Sequence, residues 1–157
     1  MRSNNNDCIK YNPINVIQFD CPDKIFISKN EPNSWICFDF NRHRVFPSQY
    51  TIKLIENKTI QYHPKSWVIE GSKDNTNWTI LDFKSVESEF SSNNDARTFD
   101  IEVNKKNIHY RYIRLRLIGQ NFVDNDILAL DSFEIYGSLA KLKNEGDEEN
   151  IEAPIMF

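Results

Sequence analysis

A chain of 157 residues with 39% hydrophobic and 13% aromatic residues can bury one two-layer core, and this composition excludes an intrinsically disordered polymer. The formal net charge is −4, and residues 138–157 set two lysines against five carboxylates, so the remainder is close to neutral and lacks the basic footprint of a nucleic-acid or membrane binder. Three cysteines, Cys8, Cys21 and Cys37, are odd in number and show no CxxC spacing, which argues against a closed disulfide framework and against zinc. The opening MRSNNND has no apolar signal core and no apolar run of membrane-spanning length follows. A reducing, cytoplasmic location is therefore expected, in which the sequons Asn57-Lys58-Thr59 and Asn77-Trp78-Thr79 are chance matches.

Residues 1–7 are polar and are expected to fray as a flexible N-terminus. Residues 8–11 form a short β-prone run, after which Pro13, Pro22 and Pro32 interrupt every window of helical length, leaving a long irregular excursion. The first regular strand is predicted over 35–40 (WICFDF), with Ile36, Phe38 and Phe40 on one face. Asp39 on the other face then needs water or a basic neighbour, because an unpaired buried carboxylate is costly. Arg42-His43-Arg44 reads as a polar turn, Val45-Phe46-Pro47 touches the core, and 50–55 is the next strand with Tyr50, Ile52 and Leu54 inward.

Residues 66–83 (SWVIEGSKDNTNWTILDF) predict an antiparallel hairpin, two strands at 66–72 and 78–83 joined by Asp74-Asn75-Thr76-Asn77. In the polar stretch 84–97 a helical turn through Val86 and Phe90 competes with a loop. Alternation resumes over 97–103 through Phe99 and Ile101. It is strongest over 110–119, where Ile113, Leu115 and Leu117 alternate with Tyr112, Arg114 and Arg116, as in a central strand with one apolar face. A last strand is expected over 128–137, with a parity change near Asp131 that hints at a bulge.

All six prolines fall outside these strands, and with four glycines in the chain the nineteen asparagines are expected to take several positive-φ turn positions. Eight short strands without a long helix predict an all-β fold, a β-sandwich or jelly roll. Residues 138–157 read as an acidic tail or linker outside that domain, or as a docking peptide whose apolar end Ile155-Met156-Phe157 enters a groove.

No catalytic motif, metal-ligand spacing or phosphate loop is present, so neither an enzyme nor a cofactor is expected. His43, His63 and His109 are isolated and read as surface or satisfied structural residues. Asp124 with Asp126, and Asp95 with Asn93 and Asn94, lack the spacing of a calcium loop. Arg111, Arg114 and Arg116 are expected to pair with carboxylates across the sheet, the alternative being a partner surface. Trp35, Trp67 and Trp78 each begin a strand and are assigned to the core or its edge in preference to sugar or peptide stacking.

Five ordered segments resemble the coagulation factor 5/8 type C, or discoidin, family: NSWICFDF at 33–40, PSQYTI at 47–52, SWVIEGS at 66–72 with Trp78, YIRLR at 112–116 and FEIYG at 133–137. The resemblance covers residues 8–137 and is nearest to an intracellular branch found beside BTB or HECT ubiquitin-ligase domains. It implies an eight-stranded jelly-roll β-sandwich, galactose-binding-domain-like, that is not an enzyme and binds sugars, lipids or proteins through loops at one end. Carried onto this chain, those loops are residues 21–33, 56–64 and 86–95, presenting Asn57, Lys58, Tyr62 and His63 in one and Phe90, Asn93 and Asn94 in another. The hairpin turn that commonly reads Asp-Gly is Asp74-Asn75 here, and the paired terminal cysteines of secreted members are absent.

The function expected from this reading is protein recognition or scaffolding. Phe90, Tyr62, Arg42 and Arg44 are the anchors that interface physics favours. The alternative is a carbohydrate-binding module using His63 with Asn93 or Asn94 as hydrogen-bond donors. Neither nucleic acid nor membrane is an expected partner.

Overall fold

The computed structural model describes residues 2–3, 13–17, 25–55, 62–86, 96–102, 108–141 and 150–156. Its strands are β1 (Arg2–Ser3), β2 (Phe26–Ile27), β3 (Trp35–Asp39), β4 (His43–Lys53), β5 (Ser66–Ser72), β6 (Trp78–Ser85), β7 (Ala96–Asp100), β8 (Tyr112–Leu117), β9 (Ala129–Leu130), β10 (Ser132–Lys141) and β11 (Asn150–Met156). A short 3-10 turn spans Pro13–Ile17. Among the described residues the strands form a five-stranded sheet β1-β3-β8-β5-β6, a four-stranded sheet β11-β10-β4-β7 and a small ladder β2-β9, with every pairing antiparallel.

Alternation decides which side of each strand meets the core. In β8, Ile113, Leu115 and Leu117 are fully buried while Tyr112, Arg114 and Arg116 alternate with them on the outer face. Ile36, Trp67, Ile69, Ile113 and Leu115 of the first sheet close on Tyr50, Ile52, Phe133 and Ile135 of the second, with Phe38 and Phe40 packed at the margin. Trp67 stands edge-on to Phe99 at 5.5 Å and its Nε1 donates to the Tyr50 hydroxyl at 3.0 Å. That hydroxyl donates in turn to Asp82 Oδ2 at 2.7 Å, and Lys84 Nζ holds the other carboxylate oxygen at 2.7 Å. The two sheets are thus joined by a polar chain as well as by apolar contact.

Of the three tryptophans only Trp67 is fully buried. Trp35 and Trp78 are half-buried, and the Arg114 guanidinium lies 3.8 Å from the centre of the Trp78 ring. On this outer face Glu70, only 4% exposed, accepts from Arg114 Nε at 2.6 Å and from Arg116 Nε and Nη2 at 3.0 and 2.8 Å. Burial by itself would raise the Glu70 pKa, but the hydrogen bonds and charges of Arg116 and Arg114 outweigh it and hold the carboxylate below its ordinary range. The basic neighbour that Asp39 requires is Arg111, whose Nε and Nη2 reach the two carboxylate oxygens at 2.8 and 3.1 Å.

Several boundaries differ from the sequence expectation for identifiable reasons. β4 begins at His43, so Pro47 lies inside a strand, and the β4–β10 register shifts between Tyr136 and Gly137, opposite that proline. A bulge is where a residue without an N–H can sit in a ladder. Pro154 of β11 occupies an equivalent position, pairing with Ser138 beside a second register shift. The break at Asp131 separates β9 from β10, with Asp131 N–H donating to Lys53 O at 2.9 Å and its carboxylate 2.6 Å from Lys53 Nζ. Strand β10 passes Gly137 and runs to Lys141, and β11 pairs with it, so part of the segment read as a tail is sheet. Arg2–Ser3, expected to fray, pairs with Cys37 and Ile36 of β3. The short strand expected at 8–11 and the helical turn through Phe90 lie outside the described residues.

Asparagine does take the left-handed positions. Asn33, Asn41 and Asn75 have φ of 61°, 56° and 64°, and Asp124 has 57°. In the hairpin, Asn77 through its side chain and backbone, with the Thr76 N–H, binds the Asp74 carboxylate and depresses its pKa well below the usual range. The Asn75 N–H donates to Ser72 Oγ at 2.9 Å. Asn75→Ala is expected to cost about 1 kcal/mol, because alanine tolerates this backbone poorly. Asn75→Gly is expected to be neutral or stabilising, and urea denaturation of the pair separates backbone strain from loss of the side chain.

Candidate ligand-binding site

The antiparallel register assigns each loop to one end of the sandwich. β4 and β8 finish, and β3 and β5 begin, at the same end, so residues 25–34, 62–65 and 118–128 converge there. Ser28 is joined to Leu128 by two hydrogen bonds of 2.9 Å, Asp126 N–H donates to Asn30 Oδ1 at 2.9 Å, and Phe122 N–H donates to His63 O at 3.2 Å. Ile25, Ile55 and Ala129, with Ile27, Tyr62 and Ile127 against them, form a small apolar floor under these loops.

The loop after β8 is shaped by Asn121, which is 1% exposed. Its Oδ1 accepts from Val123 N–H at 3.0 Å and Asn125 N–H at 3.2 Å, while Nδ2 donates to Asn125 Oδ1 at 2.6 Å and to Ile127 O at 2.9 Å. One amide side chain therefore replaces the backbone pairing that a strand would have supplied. Asp124 in the left-handed region closes the turn and presents Phe122 and the exposed Val123 at the surface. Lys65 Nζ stands 5.9 Å from the centre of the half-buried Phe122 ring. Gln120, Lys29, Asn30, Glu31 and Asn33 are exposed nearby on the same loops.

Of the residues predicted to bind, Tyr62 and His63 are at this end, both half-buried, Tyr62 packing into the floor. Arg42 and Arg44 are not. Arg42 lies in the β3–β4 turn and Arg44 in the first residues of β4, at the end where β8 begins, and Arg44 Nη1 donates to His43 O at 3.0 Å. The structure therefore does not bring the arginine pair together with Tyr62 and His63. Asn57, Lys58, Phe90, Asn93 and Asn94 lie outside the described residues. Phe122 and Lys65 were missed, although an aromatic beside a valine inside the otherwise polar stretch 119–126 was the available signal.

Among the described residues no group of three His, Cys, Asp or Glu side chains could hold a metal ion, and no helix is long and apolar enough to cross a membrane. What the end offers is an aromatic face, a cation and several amide groups, chemistry suited to binding.

A model of the F5/8 type C domain matches residues 13–127. The chain belongs to this family. Its fold is the galactose-binding-domain-like jelly roll. The chain is 24% identical over 120 residues to the E3 ubiquitin-protein ligase Ufd4 of Drosophila melanogaster, covering 75% of this chain and 4% of the ligase, so the chain spans a small fraction of that relative. Its fold is similar to that of a fucolectin from the serum of the striped bass, Morone saxatilis, at 13% identity and a TM-score of 0.67, covering 88% of this chain and 47% of the lectin. It is also similar to chitosan-binding module 1 of a chitosanase/glucanase from Paenibacillus sp. IK-5, at 13% identity and a TM-score of 0.64, covering 87% and 92%.

These likenesses overturn the cytoplasmic expectation, since the same jelly roll is that of a serum lectin. An odd cysteine count constrains disulfide pairing and carries no address.

Proposed function

We propose that the F5/8 type C module binds a glycan through the end built by residues 25–34, 62–65 and 118–128. The observation that carries this reading is the Asn121-braced loop, which holds an aromatic face, Phe122, beside Lys65 and His63. A sugar ring stacks its C–H face on an aromatic while its hydroxyls take hydrogen bonds from amide, imidazole and ammonium groups at the rim. Gln120 and Lys65 are such groups, and the family resemblance assigns Asn57, Lys58, Asn93 and Asn94 to the loops that bind. Support comes from the fold it shares with a fucolectin and a chitosan-binding module.

A glycan array followed by calorimetry tests the reading. Phe122→Ala is expected to weaken binding about tenfold, roughly what one aromatic face contributes, while leaving the unfolding midpoint within the range of a surface substitution. Folded protein that binds no glycan above background would reject the proposal.

A second reading, recognition of a protein partner within a larger assembly such as one beside BTB or HECT domains, has the likeness to Ufd4 in its favour. It predicts that partner capture survives excess free sugar and responds to Tyr62→Ala or to the Arg42→Ala, Arg44→Ala pair at the other end.

A further inference from the structure

Strand β6 closes one margin of the five-stranded sheet: among the described residues it pairs with β5 on one side and with no strand on the other. Ile80 and Phe83 on this strand, 60% and 56% exposed, are the most exposed large apolar side chains among the described residues. Both lie on the outer face, because Ile80 stands opposite Glu70 and Phe83 opposite Val68, and alternate residues of β5 share a face. They share it although three positions apart, since the register with β5 shifts at this point and Leu81 is the extra residue. A sheet edge is ordinarily guarded by charge. Here the carboxylate of Asp82 is bound by Tyr50 and by Lys84, the strand's one cation, so β6 offers a neighbour no uncompensated charge.

The direction of each backbone group follows from the hydrogen bonds. Val86 N–H donates to Lys65 O at 2.9 Å and Ile118 N–H donates to Ser66 O at 2.8 Å, so odd-numbered residues of β5 turn toward β6 and even-numbered ones toward β8. Trp78, Ile80, Phe83 and Ser85 stand opposite even-numbered residues of β5, and their own N–H and C=O groups therefore point away from the sheet. Two residues separate Ile80 from Phe83, where a regular strand would have one between successive outward positions. A strand that pairs here in register has to carry the same irregularity. Strand β6 of another copy does.

We propose that the β6 edge is the docking surface for a second copy of this chain, the two β6 strands running antiparallel about a twofold axis that passes between Leu81 and Asp82. Ile80 of each copy then stands opposite Phe83 of the other, and Trp78 opposite Ser85 of the other. All four outward-turned residues exchange backbone hydrogen bonds, the two bulges face each other, and the exposed apolar pair is covered twice. A contact through one strand of eight residues is smaller than a standard interface, so the dimer is weak, with Kd on the order of 10–100 μM. The twofold sends the loop ends of the two copies to opposite poles. The inference does not rest on the glycan reading, because it uses none of the residues assigned to that site.

Analytical ultracentrifugation of the 157-residue chain over a concentration series tests this, with Ile80→Lys and Phe83→Glu as variants. The wild type should pass from monomer to dimer, and each variant alone should self-associate at least tenfold more weakly, because the twofold repeats every substitution. An equimolar mixture of the two variants should recover the dimer, since the antiparallel register then sets lysine against glutamate at one position and leaves Phe83 against Ile80 at the other. Both side chains are exposed, so unfolding midpoints measured on dilute monomer should stay within the range of surface substitutions, which separates loss of pairing from loss of structure. A wild type that remains monomeric up to about 1 mM, self-association that either variant leaves intact, or a mixture that stays monomeric overturns the proposal.

Discussion

Trp67→Ala is expected to remove about 3–5 kcal/mol of folding stability, a large share of the roughly 5–15 kcal/mol that a domain of this size possesses. Two losses combine. The indole is fully buried against Phe99, so its truncation leaves a cavity between the sheets. Its Nε1 also donates to the Tyr50 hydroxyl, which would lose a donor while still bound to Asp82. Burial first, and then the hydrogen bond to Asp82, raise the Tyr50 pKa far above the ordinary phenol value, so this hydroxyl remains a donor at all working pH values. Trp67→Phe keeps most of the volume and removes the N–H, and is expected to cost about 1 kcal/mol more than its lost volume. Urea denaturation checks both: midpoints for the two variants that coincide would mean the indole's bulk contributes nothing.

Glu70→Ala is expected to cost about 3 kcal/mol, because it strands the Arg114 and Arg116 guanidinium groups, only 19% and 20% exposed, on a sheet face with no compensating carboxylate. Glu70→Gln keeps the shape and should fall between the wild type and alanine. The pH dependence follows from the direction of the shift. A carboxylate whose folded pKa lies below its unfolded value contributes stability that is fully present above the unfolded pKa, about 4.3 for glutamate, and that disappears as pH falls through the folded value. The wild type should therefore lose stability more steeply than Glu70→Gln on acidification below about pH 4.3. Parallel stability curves for the two proteins over that range would show that Glu70 is not held by the arginines in solution.

Much of the sandwich was readable one strand at a time. The alternation in β8, the Asp74–Asn77 turn and the need of Asp39 for a cation are consequences of neighbouring residues, and each appears in the structure as expected. Pro47 was misplaced because the bulge that accommodates it is created by Gly137, ninety residues away, whose Cα leaves no room for a side chain against Phe46 O. The continuation of β10 past Gly137 was hidden because Ser138–Lys141 has the polarity of a tail and becomes a strand by pairing on both sides, with β4 and with β11.

The candidate site was half legible. Tyr62 and His63, named through the resemblance, lie at the loop end, whereas grouping Arg42 and Arg44 with them ignored strand direction, which puts the β3–β4 turn at the opposite pole. Phe122 escaped because its loop looked uniformly polar, and the hydrogen bonds that stiffen it come from one asparagine that resembles every other asparagine in the chain.

That asparagine has a thermodynamic consequence. Because Asn121 already satisfies the backbone of residues 123–127, a ligand arriving at Phe122 meets a surface whose conformational entropy was surrendered during folding. Association there should proceed near the rate set by encounter and orientation, with a modest change in heat capacity confined to the area covered. Asn121→Ala would shift that ordering from the folding reaction to the binding reaction.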